Sequence, residues 1–405
     1  MIKSSKCALK FCNSGKLQSV HRIIDEYKVV MEKFVELLWL EEKPCKFVPK
    51  SITSQVKTWL SARMIQCAGK QASGVVRGTK TKQKRREYVK SKLMAEGKHK
   101  KARKLQRFID EVNISKPELN HIQPELDSRF VQTHLDQDSS FDGWIRLASI
   151  GNKTKLNIPF RKSKHFNKML KSGKLKTGIR LSKKRITFMF EIPDVKKKSS
   201  GAVLGIDVGQ TSTIACSNGH LSTANAHGHD LKSISDILCR KKKGSKGFGR
   251  TTQHRKNYIN WSINQLNLSK VKEVKIENIK NMRKGKITSR RLGHWTYTNI
   301  FEKLSSRCEE QGVLVTRVNP TYTSKRCSGC GWTRSSNRKG KLFKCNLCGL
   351  SMDSDLNAAL NIAAPLKPIP FKKRQRFDIK EGFYWQSEGT EPIVPCVPKT
   401  QNLFA

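Results

Sequence analysis

Val203-Leu-Gly-Ile-Asp-Val-Gly209 is the stretch on which the fold turns. It is apolar except for Asp207, it follows the linker-like residues 196–201 (KKKSSG), and Gly209-Gln210 after it marks a turn. It therefore reads as a buried strand. An ionised carboxylate among Leu204, Ile206 and Val208 is costly unless it is paired or bound to metal. Strand alternation leaves the other reading, in which Asp207 points outward into solvent.

Downstream, strands are expected over 211–216, near 221–226, over 274–277 and over 313–318. A basic helical stretch runs over 231–268, broken near 244–249, and a second helix covers 295–311, ended by Gly312. Strand, strand, strand, helix, strand, helix, strand is the order of a ribonuclease H-like α/β domain, and order alone says little about chemistry. Two further acids stand out. Glu277 closes the predicted strand Val274-Lys-Ile-Glu277 and, taken alone, reads as a surface residue. Asp355 opens the Ala-rich segment DSDLNAALNIA (353–363) and suits a helix N-cap as well as a metal ligand. The chain has only 32 Asp or Glu against 81 Lys or Arg, so acids in such positions are scarce. Taken jointly, the three would hold two divalent ions, one activating water and one stabilising the leaving oxygen of a phosphodiester. Oxygen ligands and phosphate chemistry point to Mg²⁺, or Mn²⁺ in its place.

Cys327-x-x-Cys330 and Cys345-x-x-Cys348 are separated by fourteen residues, and each pair is followed by Gly (Gly331, Gly349). Two such knuckles place four thiolates around one Zn²⁺, and a closed four-cysteine site has no open position, so this zinc is structural. The eight other cysteines show no regular spacing, which fits a reducing compartment better than a disulfide scaffold. Around the pairs lie Lys325, Arg326, Arg334, Arg338, Lys339, Lys341 and Lys344, a basic surface suited to nucleic acid.

The formal net charge of +49 over 405 residues calls for a polyanionic partner. That partner is nucleic acid or an anionic membrane. No 18-residue apolar run is present and the first residues lack the apolar core of a signal peptide, which argues against a membrane-spanning or secreted protein, and no membrane is expected among the partners. In the N-terminal half the first dozen residues read weakly as a strand. Val20, Ile23, Ile24, Tyr27, Met31, Phe34, Leu37 and Leu38 then give one face of a core helix. Fourteen Lys or Arg fall between Arg77 and Arg107 against Glu87 and Glu96, in a composition that favours helix. Such a run is either a solvated face or a phosphate-binding one. With this net charge the second is preferred, through Arg77, Lys82, Lys84, Arg85, Arg86, Lys100, Lys101, Arg103 and Lys104, joined by Arg326. Short alternating segments between 114 and 194 read as antiparallel strands of a small barrel. The tail from Pro365, with six prolines and the cluster Lys372-Lys-Arg-Gln-Arg376, is expected to be largely extended or disordered.

GIDVG around Asp207, KIENI around Glu277, HWTY (294–297), NPTYTSKRCSGCG (319–331) and CGLSMDSDLNAALNIA (348–363) together resemble the RuvC nuclease domain of transposon-encoded TnpB proteins and the compact type V CRISPR effectors. The resemblance is firm over 203–363 and rests on length, charge and texture before that. It implies an RNA-guided, Mg²⁺-dependent DNA endonuclease, with a structured guide RNA and double-stranded DNA as partners. The family's three acids carry over to Asp207, Glu277 and Asp355, the last because it lies two residues before Asn357. The implied layout is an α/β multidomain chain: 1–15 the first strand of a wedge domain, 16–113 a helical basic recognition insert, 114–200 the wedge β-barrel, 201–320 the RuvC domain, 321–350 an inserted zinc ribbon, 351–365 the third acidic motif and 366–405 the tail. The basic helices would grip the heteroduplex by its backbone. Two departures from the family are the short, Gly-punctuated basic segment KKKGSKGFGR (241–250) and the Pro-rich tail. Two other functions share these features: a guided DNA-binding repressor that does not cut, and a structure-selective nuclease or transposase accessory protein that carries no RNA. The expected setting is bacterial or archaeal cytoplasm, or the nucleus of a eukaryote. The sequence does not distinguish a monomer from a dimer.

Overall fold

A computed structural model describes residues 1–43, 45–111, 115–120, 122–135, 139–209, 212–279, 290, 294, 296–367, 369 and 377–386. The chain forms two compact units, Met1–Pro193 and Asp194–Ala405.

The first unit contains β1 (Ile2–Ala8), α1 (Ser14–Leu40), α2 (Lys50–Thr53), α3 (Ala62–Ala95), α4 (His99–Glu111), β2 (Glu125–Leu126), β3 (Val131–His134), β4 (Gly143–Leu147), β5 (Leu156–Phe160), α5 (Lys164–Ser172), β6 (Lys174–Leu181) and β7 (Arg185–Glu191). β1 pairs along its whole length with β7, from Ile2 against Glu191 to Ala8 against Arg185, so the helices are an excursion between two neighbouring strands. The strands form two antiparallel sheets, β1-β7-β6-β2 and β3-β4-β5, rather than the single barrel expected from their alternation. Both sheets feed one core, in which Phe160 of β5 meets Phe188 of β7 at 4.8 Å between ring centroids.

Asn13 caps α1 by accepting from the Lys16 backbone N–H, and the apolar stripe of α1 is buried from Val20 to Leu38, with Leu37 half-buried. Met64, Ala68, Ala72 and Val76 of α3 are buried at four-residue steps, and α3 packs against α1. Beyond Val76 the helix is largely exposed and basic. The basic run is not one helix. It breaks at 96–98, where Gly97 takes a φ of +65° that other residues resist, and α4 folds back on α3. Lys90 donates to Gln106 and the Arg86 guanidinium lies 5.0 Å from the Phe108 ring, which fixes the two helices antiparallel.

The second unit contains β8 (Ala202–Asp207), β9 (Ala215–Cys216), α6 (Leu231–Arg240), α7 (Lys246–Asn264), β10 (Val271–Glu277), α8 (Tyr297–Glu310), β11 (Leu314–Val318), β12 (Trp332–Thr333), β13 (Arg338–Lys339), β14 (Leu342–Lys344), β15 (Ser351–Asp353), α9 (Ser354–Ala363) and β16 (Phe383–Tyr384). Its main sheet has the order β11-β10-β8-β9, with β8, β10 and β11 parallel and β9 antiparallel. Parallel strands are expected to be buried on both faces, and Leu204, Ile206, Val274 and Ile276 are, in one core with Ile259, Ile263, Ile300 and Leu304. Gly205 is the point of closest approach: a Cβ there would lie 2.1 Å from the Ala359 carbonyl oxygen, so α9 lies directly on β8.

Several local expectations differ from the structure. The strand expected near 221–226 shrinks to one bridge, Ala215 to Leu221, and the strand before it to two residues, with Gln210 and Thr211 outside the described residues. The helical break falls at 241–245 and not on the later glycines, because Ser245 caps α7 through the Phe248 N–H and draws Gly247 and Gly249 into the helix. Part of the tail is packed. Ile369, Phe377, Phe383 and Trp385 form a small core, and β16 pairs with β12, because aromatic side chains between the prolines find apolar surface to bury. Trp295, the Lys372–Arg376 cluster and Pro368, Pro370, Pro392, Pro395 and Pro398 lie outside the described residues. Among the described residues no helix is long and apolar enough to cross a membrane.

Candidate active site and metal centre

Asp207 ends β8 and Glu277 ends β10, and Ile206 sits opposite Ile276 in the parallel register, so the two acids leave the sheet side by side at its carboxyl edge. This is where open α/β sheets place their ligands. Asp355 is in the first turn of α9, the helix that Gly205 lets onto β8. The N-cap is Asp353, whose side chain accepts from the Asp355 and Leu356 backbone N–H groups, so Asp355 is not needed as a cap. Glu277 is 9% exposed and Asp355 5%. Thr323 donates to the Glu277 carboxylate, and the Tyr297 hydroxyl donates to its backbone carbonyl, which assigns local work to the HWTY and NPTYTS stretches.

The three carboxylates interact. Burial, then the negative charges of Glu277 and Asp355, push the Asp207 carboxyl up to about 7, against the pull of Arg338. Burial also raises Glu277, opposed by the Thr323 hydrogen bond and by Arg338. Among the described residues the four cysteines, with ligand atoms all within 4.8 Å of one another, are the metal-binding cluster the geometry brings together outright, and the acids meet as mutually repelling charges. An all-oxygen donor set that resists full ionisation suits a hard divalent cation. A stability effect follows from the sign of the Asp207 shift. The folded state holds this proton while the unfolded state releases it near 3.8, so without added divalent ion the chain loses stability as pH rises from about 4 to about 7. Asp207→Asn is expected to remove that loss, worth on the order of 1–3 kcal/mol, and melting curves at pH 5 and pH 8 check it.

Two cations missed as site residues stand over this cluster. The hairpin of β13 and β14 brings Lys341 into an ion pair with Asp355 and Arg338 to 3.5 Å from it. In sequence they are indistinguishable from the other basic residues around the cysteines. Asn357 and Asn361 are a second omission. Asn357 donates to the Arg326 carbonyl and accepts from Ser328 N–H, and Asn361 donates to the Thr323 and Arg326 carbonyls, tying α9 to the segment that carries the first knuckle.

The four cysteines converge. Cys327 and Cys348 sulfurs lie 3.6 Å apart, as do those of Cys330 and Cys345. Four sulfurs at about 2.3 Å from a tetrahedral zinc would be about 3.8 Å apart, so the set fits Zn²⁺. The two knuckles repeat one geometry. Gly331 N–H bonds the Cys327 carbonyl and Gly349 N–H the Cys345 carbonyl, with both glycines at positive φ (80° and 75°). The Leu350 backbone N–H holds the exposed Cys348 thiol down to about 7.

Of the residues proposed to meet nucleic acid, Arg77, Lys82, Lys84, Arg85, Lys100, Lys101, Arg103 and Lys104 are exposed on α3 and α4, and Arg86 is half-buried against Phe108. Arg326 requires correction. It is 3% exposed, and its guanidinium donates to the carbonyls of Trp385 and Cys327 and to the Asn361 side chain, so it is an internal clamp and has no surface to offer a phosphate.

Residues 297–362 match the family model described as Cas12f1-like, TNB domain. The chain is 40% identical over 119 residues to the CRISPR-associated endodeoxyribonuclease Cas12f1 of Sulfoacidibacillus thermotolerans, covering 29% of this chain and 27% of that one. It is 26% identical over 231 residues to a Cas12f1 endodeoxyribonuclease of an uncultured archaeon, covering 47% and 44%. A TnpB-like protein of Methanocaldococcus jannaschii is 32% identical over 108 residues, covering 25% and 36%. Each match spans less than half of the relative's own length. The segment that holds the four cysteines, Asp355, Arg338 and Lys341 is thus similar to the Cas12f1-like TNB family, and the chain shares local similarity with Cas12f1 and TnpB-like proteins.

Proposed function

We propose that this chain is an RNA-guided DNA endonuclease that cuts in a single RuvC-type site formed by Asp207, Glu277 and Asp355. The observation that carries the reading is the meeting of three acids at the carboxyl edge of the sheet, the third delivered by a helix tied to the four-cysteine segment. It agrees with the endodeoxyribonuclease activity named for the relatives. Asp207, Glu277 and Asp355 would hold Mg²⁺, which when bound supplies an activated water and stabilises the leaving oxygen. The chain's own residues do the rest. Thr323 and Tyr297 fix the rotamer and backbone of Glu277, Asp353 fixes the start of α9, and Arg338 faces all three acids as a fixed positive charge where a phosphate would sit.

In the first unit, β1 with the strands from β2 to β7 would be the wedge and α1 to α4 the recognition insert. The exposed cations of α3 and α4 would track the sugar-phosphate backbone of a guide–target duplex without reading its sequence. The zinc is structural.

The test is to express the chain with its native flanking DNA, purify it and sequence the RNA that accompanies it, then use that RNA to direct cleavage. One dominant structured RNA with a variable end, and Mg²⁺-dependent cutting of the matching DNA, is the expected result. Guided binding without cutting would move the assignment to a repressor, and cutting without any bound RNA to a structure-selective nuclease.

A further inference from the structure

We propose that Lys341 competes with the divalent metal for Asp355 and thereby sets the metal concentration at which the site fills. The inference rests on the reading of the three acids given above and adds to it a residue that acts on metal loading.

The turn that carries Lys341 is held in place by its backbone. Ser354 N–H donates to the Lys341 carbonyl at 2.8 Å and the Ser354 hydroxyl to the Gly340 carbonyl at 3.1 Å, which pins the turn one residue before Asp355. The ammonium then closes on Asp355 Oδ2 and reaches the Ser212 hydroxyl at 3.4 Å. Asp355 is a buried carboxylate, its side chain 8% exposed, and a buried charge must be matched by something. Its other oxygen, Oδ1, has only long contacts, to Ser354 Oγ at 3.4 Å and Arg338 at 3.5 Å. Lys341 is therefore the near counter-ion of Asp355.

The two cations over the site differ in how firmly they are held. Arg338 donates from Nε to the Gly340 carbonyl of its own hairpin, and its charge is felt by Asp207 and Glu277 as well as by Asp355. Lys341 pairs with Asp355 alone among the three acids, its side chain is 51% exposed, and its four-carbon stem swings freely once the pair opens. A metal that takes Asp355 Oδ2 must displace that ammonium, so the apparent metal affinity is lowered by the strength of the pair.

The test is a Mn²⁺ titration of the zinc-loaded full chain without nucleic acid, read by the electron paramagnetic resonance of free Mn²⁺. Lys341→Gln is expected to bind Mn²⁺ about three- to fivefold more tightly than the unaltered chain, the upper part of the range for a solvent-accessible ion pair, while Lys341→Arg stays within about twofold. Unchanged or weaker Mn²⁺ binding in Lys341→Gln overturns the proposal. Zinc content and melting temperature report whether each variant is folded. Asp207→Ala, Glu277→Ala and Asp355→Ala separate the two levels of inference. If all three retain the Mn²⁺ site, the acid cluster is not where the metal binds. If they lose it and Lys341→Gln changes nothing, the cluster stands and only the role of Lys341 fails.

Discussion

If Asp355 holds the metal as proposed, replacing it with Ala is expected to lower DNA cutting by on the order of 10³-fold or more, because one ligand of such a site carries several kcal/mol of transition-state stabilisation. Asp207→Ala and Glu277→Ala should do the same. Guide and target binding should stay within about twofold in each, since affinity for nucleic acid comes mainly from backbone contacts made elsewhere. A matched variant sharpens the assignment. Asp353 lies two residues away and caps α9 by accepting from Asp355 N–H and Leu356 N–H. Asp353→Ala is thus expected to cost about 1 kcal/mol of helix stability and to leave much of the cutting. Cleavage rates and filter binding on the same preparations check both. Normal cutting by Asp355→Ala, or complete loss in Asp353→Ala with none in Asp355→Ala, would falsify the choice of third ligand. Isosteric Asp355→Asn guards against a packing artefact, because it keeps the volume of a side chain that is nearly sealed from solvent.

The strand that ends in Asp207 is legible in the sequence because it is a short apolar run whose single acid violates its own pattern, whereas Glu277 follows Lys272, Glu273 and Lys275 and stands out only jointly with the other two acids. The cysteine knuckles are legible for the same local reason, since two residues between thiols is a statement about one turn. What escapes is everything decided by long-range contact. Arg338 and Lys341 are two of 81 basic residues, and only the β13–β14 hairpin lays them over Asp355. Arg326 looks like its neighbours Lys325 and Arg334, yet Trp385, 59 residues away, and Asn361 draw it into the interior. Asn357 enters the sequence reading only as the landmark for Asp355, and Asn361 not at all. Their side chains join the Ala-rich helix to the first knuckle. The tail misleads through its prolines, which hide an aromatic set that folds onto the ribbon. The helix break near 241–245 depends on one serine cap outweighing two glycines.

Loss of zinc is expected to abolish cutting as completely as loss of an acid, and by a different route. The segment that carries the cysteines has little core of its own: Cys327, Phe343 and Cys345 are its buried members, joined by the partly buried Cys330, Trp332, Leu350 and Met352. Zinc bound by four thiolates contributes on the order of 10 kcal/mol to the folding of such segments. Without it, close packing of four thiols and a three-stranded sheet of two- and three-residue strands must hold alone. That sheet positions more than the ribbon. β14 pairs with β15, β15 leads directly into Asp353 and α9, and Lys341 and Gly340 bond Ser354. Its loss would release Asp355, Arg338 and Lys341 together while leaving Asp207 and Glu277 on strands whose core is made by other residues. Cys345→Ser, or chelation of the wild type, should therefore open protease sites within 326–350, introduce an early melting step and stop cleavage even at saturating Mg²⁺. Restored Zn²⁺, and not additional Mg²⁺, should bring the chelated wild type back. If Cys345→Ser keeps its zinc, its melting temperature and its cutting, the four-cysteine site is not what holds the third acid in place.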